Sequence, residues 1–302
     1  MWISPGFHIL LAIISIHFVG SSFVDDDRET DLWDMDRNNP ALCYERHVCT
    51  PSYRRWSINS ALYFENEACQ ILSKKGIKRI WMMGDSYMRH IYIAFIMTVT
   101  GNYRDGPLIR SDKTCEYHMQ FNEKRCSSTM LQGEKSICDD QITLFSSKLP
   151  DKREVGDLIF LSEGNHILHN RLDAINNASA YSSHYLSSSN SLCSISGPPS
   201  ITIWISTHAR IAGTNKFETS ARVKSYNEQM KDFVLSGLCG KIQYIDVYNM
   251  TNELKINHRA DALYMTFDKA HWGMEVNLAK AQMILTEINE NPSITFVQHN
   301  LP

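Results

Sequence analysis

The sequence predicts an α/β sandwich around a mostly parallel sheet. Three features predict it: near-continuous apolar runs of strand length, helical periodicities alternating with them, and polar clusters at the runs' carboxyl ends. Residues 77–83 (IKRIWMM) form the first run, a buried strand stopped by Gly84. From 87 to 99, Ile91, Ala94, Phe95 and Thr98 recur at helical spacing, so a helix follows. Residues 101–140 carry Cys115, Cys126 and Cys138 among many polar side chains and read as an irregular, disulfide-pinned insertion. The second strand, 157–162 (DLIFLS), ends at Glu163-Gly164-Asn165-His166. A Ser-rich loop covers 176–200, and 200–205 (SITIWI) is the third strand. A helix over 221–238, a fourth strand over 241–247 and a closing amphipathic helix over 274–288 complete the alternation.

At 302 residues and 43% hydrophobic, the chain can bury one sizeable core or at most two modest ones. A net charge of -3 without any Lys/Arg stripe argues against a nucleic-acid partner. No fixed-period repeat is present, which excludes solenoids and propellers. Residues 7–19 (FHILLAIISIHFV), followed by Gly20, Ser21 and Ser22, suit a signal-peptide core and fall short of the roughly 20 residues of a membrane span. The expected organisation is a signal peptide or uncleaved signal anchor over 1–22, an acidic polar tether over 23–40, and one domain over 41–302. Either form of the leader places the body in the secretory pathway, secreted or lumenal, and membrane attachment arises only if the leader is an anchor. Eight cysteines without a CxxC pair or zinc-ligand spacing then read as disulfides, whose pairing the sequence leaves open. Asn177 and Asn249 each open a glycosylation sequon.

Three clusters carry potential chemistry. Gly84-Asp85-Ser86 sits where a strand turns into a helix, placing a serine beside unpaired helix N–H groups that can hold an oxyanion. The same residues are also good helix caps, and the tripeptide alone does not separate the two roles. Asp268-Lys269-Ala270-His271-Trp272 precedes the closing helix and supplies an imidazole base with a carboxylate to orient it. In Glu163-Gly164-Asn165-His166 the Asn165 amide is a candidate oxyanion donor, while Gly-Asn is equally a common turn. His166 and His169 read as loop histidines.

Taken together, GDS after the first strand, G-x-N after a middle strand and D-x-x-H near the end resemble blocks I, III and V of the SGNH/GDSL hydrolases. The finer resemblance is to the PC-esterase branch, which includes the plant trichome-birefringence-like proteins and fungal and animal sialate or glycan O-acetyltransferases. That branch has Arg three residues after the serine, here Arg89, and Trp after the histidine, here Trp272. Arg55-Trp56 and Cys69 are also similar. The resemblance implies a three-layer α/β/α SGNH-like sandwich with disulfide-rich loops. It implies a catalytic triad of Ser86, Asp268 and His271, with Gly84, Asp85, Arg89, Asn165 and Trp272 around the oxyanion and substrate. Gly101 and Gly106 are candidates for the block II glycine. The implied activity is O-acyl transfer or ester hydrolysis on a carbohydrate or other acyl ester through an acyl-enzyme, with no cofactor and no metal. The rival from another class is a non-catalytic glycan-binding or structural module that keeps the fold. A phosphate-binding reading of the Gly84 turn is weaker, because that turn holds one glycine only.

Overall fold

A computed structural model describes residues 62–110, 112–131, 133–146, 149–162, 195–210, 220–237, 240–257 and 271–296. Its centre is a six-stranded sheet made of β1 (Arg79–Gly84), β2 (Glu134–Ile137), β3 (Ile142–Ser146), β4 (Asp157–Ser162), β5 (Ile201–Ile205) and β6 (Ile242–Ile245). The spatial order is β2-β3-β1-β4-β5-β6, and every neighbouring pair is parallel except the β2–β3 edge hairpin. The helices described are α1 (Glu65–Lys74), α2 (Ser86–Thr100), α3 (Glu123–Cys126), α4 (Ser220–Leu235), α5 (Val247–Asn257) and α6 (Met274–Glu290). The chain thus adopts the expected α/β class with a mostly parallel sheet.

The apolar runs become strands because both faces of the sheet are covered. Ile80, Met82, Leu158, Phe160, Ile203 and Ile205 enter a cluster shared with α1, α2 and α6. The alternate residues Trp81, Ile159, Leu161 and Trp204 enter a second cluster with Val223, Tyr226 and Met230 of α4. Side chains of a strand point alternately to either face, so a run apolar at every position fits only such a doubly covered strand. Arg79 ties the start of β1 to β4 through Asp157, with Nε donating at 2.5 Å and an Nη at 2.7 Å.

Helix α2 is buried more completely than an amphipathic stripe would be. Tyr87, Met88 and every residue from His90 to Val99 are inaccessible, because α6 and α1 pack on the sides that the sheet leaves open. The helix stops at Gly101, whose φ of 61° lies in the left-handed region that glycine adopts without penalty. At about 1.5 Å per residue, Gly101 therefore lies roughly 20 Å along α2 from Ser86, too far to serve as an oxyanion donor there.

The insertion is pinned by disulfides, Cys115–Cys126 within it and Cys69–Cys138 joining it to α1. No cysteine among the described residues is free. The structure adds three elements that periodicity does not signal: the β2–β3 hairpin, α1 and α5. The leader 1–22, the tether 23–40 and residues Asn165, Asn177 and Asp268 lie outside the described residues. Among the described residues no helix is long and apolar enough to cross a membrane.

Candidate active site

The site begins where β1 gives way to α2. A Cβ on Gly84 would stand 2.0 Å from the Ser162 carbonyl oxygen and 2.8 Å from Met88 Cβ, so only glycine permits β1 to end this close to β4. Asp85 then caps α2, its carboxylate accepting the Tyr87 N–H at 2.9 Å. That leaves Ser86 as the first helical residue, half-buried at the carboxyl rim of the sheet. Its own N–H belongs to the first turn, where no intrahelical acceptor exists.

His271 arrives from 185 residues downstream, immediately before α6, and its Nε2 lies 2.6 Å from Ser86 Oγ. Its segment is held from below. The Trp272 indole N–H donates to the Ala209 carbonyl at 2.7 Å, and the Asn277 amide donates to the carbonyls of Trp272 and Gly273 at 2.6 and 2.9 Å. Trp272 is 2% exposed and belongs to the core. Its ring packs in the core and its N–H bonds Ala209, so Trp272 anchors the segment that carries the histidine.

Two further aromatic rings border His271. Tyr87 meets it edge-on at 5.1 Å, and His90 lies 4.8 Å away, ring centre to ring centre. His90 occupies the position one turn below Ser86 on α2 and is 1% exposed. Its Nε2 bonds Glu123 of α3 at 2.8 Å, while its Nδ1 is buried without a hydrogen-bond partner. Burial, only partly offset by Glu123, pushes the imidazole down to about 4, so at neutral pH it is uncharged and donates Nε2–H to the carboxylate. Burial opposes ionisation of Glu123 as well, but the bonds from His90 and Arg89 outweigh it and hold the carboxyl down at about 2. With His90 neutral, the charge that stabilises this carboxylate comes from Arg89, whose guanidinium forks onto both Glu123 oxygens. Arg89 is thus engaged by the insertion.

Sequence reasoning passed over one component. Ser206, Thr207, His208, Ala209 and Arg210 follow β5 and are all buried, each tied to a helix. The Ser206 hydroxyl accepts the Tyr248 N–H at 2.9 Å, and Thr207 exchanges two bonds with the Asn227 amide at 2.9 and 2.8 Å. The His208 ring stacks on Tyr87 at 3.7 Å, and its Nδ1 lies 2.9 Å from Lys280 Nζ. Ala209 N–H donates to Thr251 Oγ at 2.9 Å, and Arg210 Nε to the Tyr87 hydroxyl at 3.3 Å. The available signal was a polar pentapeptide directly after an apolar strand, at the rim where parallel sheets place ligands.

The structure therefore brings together Gly84, Asp85, Ser86 and His271, with Arg89 one turn away on Glu123 and Trp272 beneath. Asn249 is exposed in the first turn of α5, its amide donating to Asp246 at 2.8 Å. The sequon's Thr251 is wholly buried and holds the 206–210 segment through that Ala209 bond. No group of histidine, cysteine, aspartate and glutamate side chains able to hold a metal occurs among the described residues. In comparisons with known proteins, no family model, no curated protein and no solved structure matches the chain.

Proposed function

We propose that the protein is a serine-dependent O-acyl transferase or esterase acting on a glycan in the secretory pathway, with Ser86 as nucleophile and His271 as base. The observation that carries the reading is the 2.6 Å separation of Ser86 Oγ and His271 Nε2 at the start of α2. In the tautomer with the proton on Nδ1, Nε2 accepts the Ser86 hydroxyl hydrogen and takes that proton as Oγ attacks an ester carbonyl. The tetrahedral oxyanion then forms next to the first-turn N–H groups of a 15-residue helix, whose dipole presents positive charge there. His271 returns the proton to the departing alcohol, leaving an acyl-serine. Water or a sugar hydroxyl attacks that ester in the second half, with His271 again as base.

Asp268 and Asn165 are proposed as the carboxylate and the amide donor of this site on the resemblance alone. The same holds for the acetyl group and the glycan. Two cores on opposite faces of the sheet support the three-layer SGNH-like architecture. The two disulfides support an oxidising compartment. A retained-fold binding module has no need of a base at bonding distance from a half-buried serine, which favours the enzyme.

The test is reaction with a fluorophosphonate probe followed by mapping of the modified residue. Labelling at Ser86 that disappears in Ser86→Ala and falls by several orders of magnitude in His271→Ala is expected. Labelling elsewhere, or none on the folded chain, refutes the proposal.

A further inference from the structure

Lys280 is the least expected side chain in the core. It lies in the second turn of α6, is 0% exposed, and has no carboxylate on it among the described residues. Its Nζ contacts Asn277 Oδ1 and His208 Nδ1, each at 2.9 Å. Burying an amine without a counter-ion costs stability that a methionine of similar volume would not. The bonds it makes are therefore the place to look for its purpose.

The bond to Asn277 has a fixed direction. The Asn277 amide nitrogen donates to two carbonyls, so Asn277 Oδ1 is the face turned to Lys280 and Nζ must donate to it. An ammonium has no lone pair and can only donate to His208, whereas a neutral amine could also accept from that ring. Donation to His208 makes Nδ1 the acceptor and leaves that ring's single proton on Nε2. One amine thus joins the peptide segment carrying His271, through Asn277, to the rim segment on which the Tyr87 ring rests. Tyr87 is also the residue after Ser86 and borders His271, so the ring of contacts closes: Ser86–Tyr87, His208, Lys280, Asn277, Trp272–His271.

We infer that Lys280 is a positioning residue for the Ser86–His271 pair, acting by donating to both His208 and Asn277 and so fixing His208 as its Nε2–H tautomer. This rests on the catalytic reading of Ser86 for its effect on rate, but not for its effect on the rings. Burial also lowers the ammonium's affinity for its proton well below the ordinary lysine value.

The experiment is side-chain ¹⁵N NMR of the histidines across pH 5–9 in the full chain, with fluorophosphonate labelling rates at Ser86, for wild type, Lys280→Met and His208→Phe. In wild type the His208 signals should show a bare Nδ1 and a protonated Nε2. In Lys280→Met they should move toward a mixed tautomer, the His271 signals should shift, and labelling should slow by roughly ten- to a hundredfold, the scale of a misplacement near 1 Å. His208→Phe keeps a ring on Tyr87 but loses the acceptor, and it should slow labelling similarly; it decides the matter if Lys280→Met does not fold. A protonated Nδ1 on wild-type His208, or wild-type labelling in either folded variant, overturns the inference. Should the wild-type chain fail to label at Ser86, the proposed function falls, and the ring signals alone decide: His208 and His271 shifts in Lys280→Met sustain the positioning role, and unchanged ones overturn it.

Discussion

Acidification offers a quantitative probe of the His90–Glu123 contact. In the folded chain burial depresses the His90 imidazole from 6.5 to about 4, so the folded state binds its proton later than the unfolded state does. Stability contributed by this group is therefore complete above pH 6.5 and is lost as pH falls toward 4. Between pH 7 and pH 4.5 the linkage relation gives a loss of about 2 kcal/mol from this one side chain, a large part of a marginal folding free energy. The chain has 12 histidines, so the effect must be isolated by difference. His90→Gln preserves a donor toward Glu123 and removes the titration. Urea unfolding at steps from pH 7 to 4.5 should show the wild-type curve losing about 2 kcal/mol more than the variant over that interval. Parallel pH dependences would refute the reasoning, because they would mean that folding leaves the His90 pKa unchanged.

Three further outcomes follow from packing. Gly84→Ala places a methyl 2.0 Å from the Ser162 oxygen, and backbone on both strands must move; a loss of about 1–3 kcal/mol in urea unfolding is expected, together with slower labelling of Ser86. Replacing the Cys69–Cys138 pair by alanines should cost about 4 kcal/mol and replacing Cys115–Cys126 about 3, since the loops closed span 69 and 11 residues; equal or inverted losses in urea unfolding would contradict the loop-entropy account. Trp272→Ala should destabilise the fold by about 3–5 kcal/mol and slow acyl transfer and hydrolysis alike, because the residue anchors His271 from within the core. A product ratio shifted toward hydrolysis alone would show instead that the indole touches the acceptor.

The parts legible in the sequence are those whose signal is local. β1, β4, β5 and β6 announce themselves as apolar runs, and the rim position of Ser86 and His271 follows from where two runs and a closing helix lie. The β2–β3 hairpin is hidden because β2 (EKSI) is a short edge strand with half its side chains in solvent. Lys280 reads as the polar face of an amphipathic helix, yet α6 is buried on nearly all sides and that face meets His208 rather than water. Arg89 could be placed near the serine by spacing. Its partner Glu123 could not, since it sits in a four-residue helix within an insertion whose position depends on disulfide pairing. Side chains brought together across 34 to 123 residues of intervening chain, as in Arg89–Glu123 and Tyr87–Arg210, leave no periodic trace.

The charge states around His271 bear directly on what the pair can do. Serine attack requires His271 to become a cation for the life of the tetrahedral intermediate. A second cation at the His90 ring, 4.8 Å away, would oppose that by roughly 3 kcal/mol at an effective dielectric constant of about 20. Such a penalty corresponds to more than a hundredfold in rate. The fold removes it by burying His90, which favours the neutral ring even though the Glu123 carboxylate bonded to it pulls the other way. On the far side of Tyr87, Lys280 Nζ lies 2.9 Å from His208 Nδ1. Of the imidazoles gathered behind Ser86, His90 is held neutral by burial, and in the proposed mechanism His271 takes the serine's proton. Exchanging Glu123 for Gln removes the group that opposes the depression of His90, so the ring should stay neutral to still lower pH and the labelling rate at neutral pH should change little.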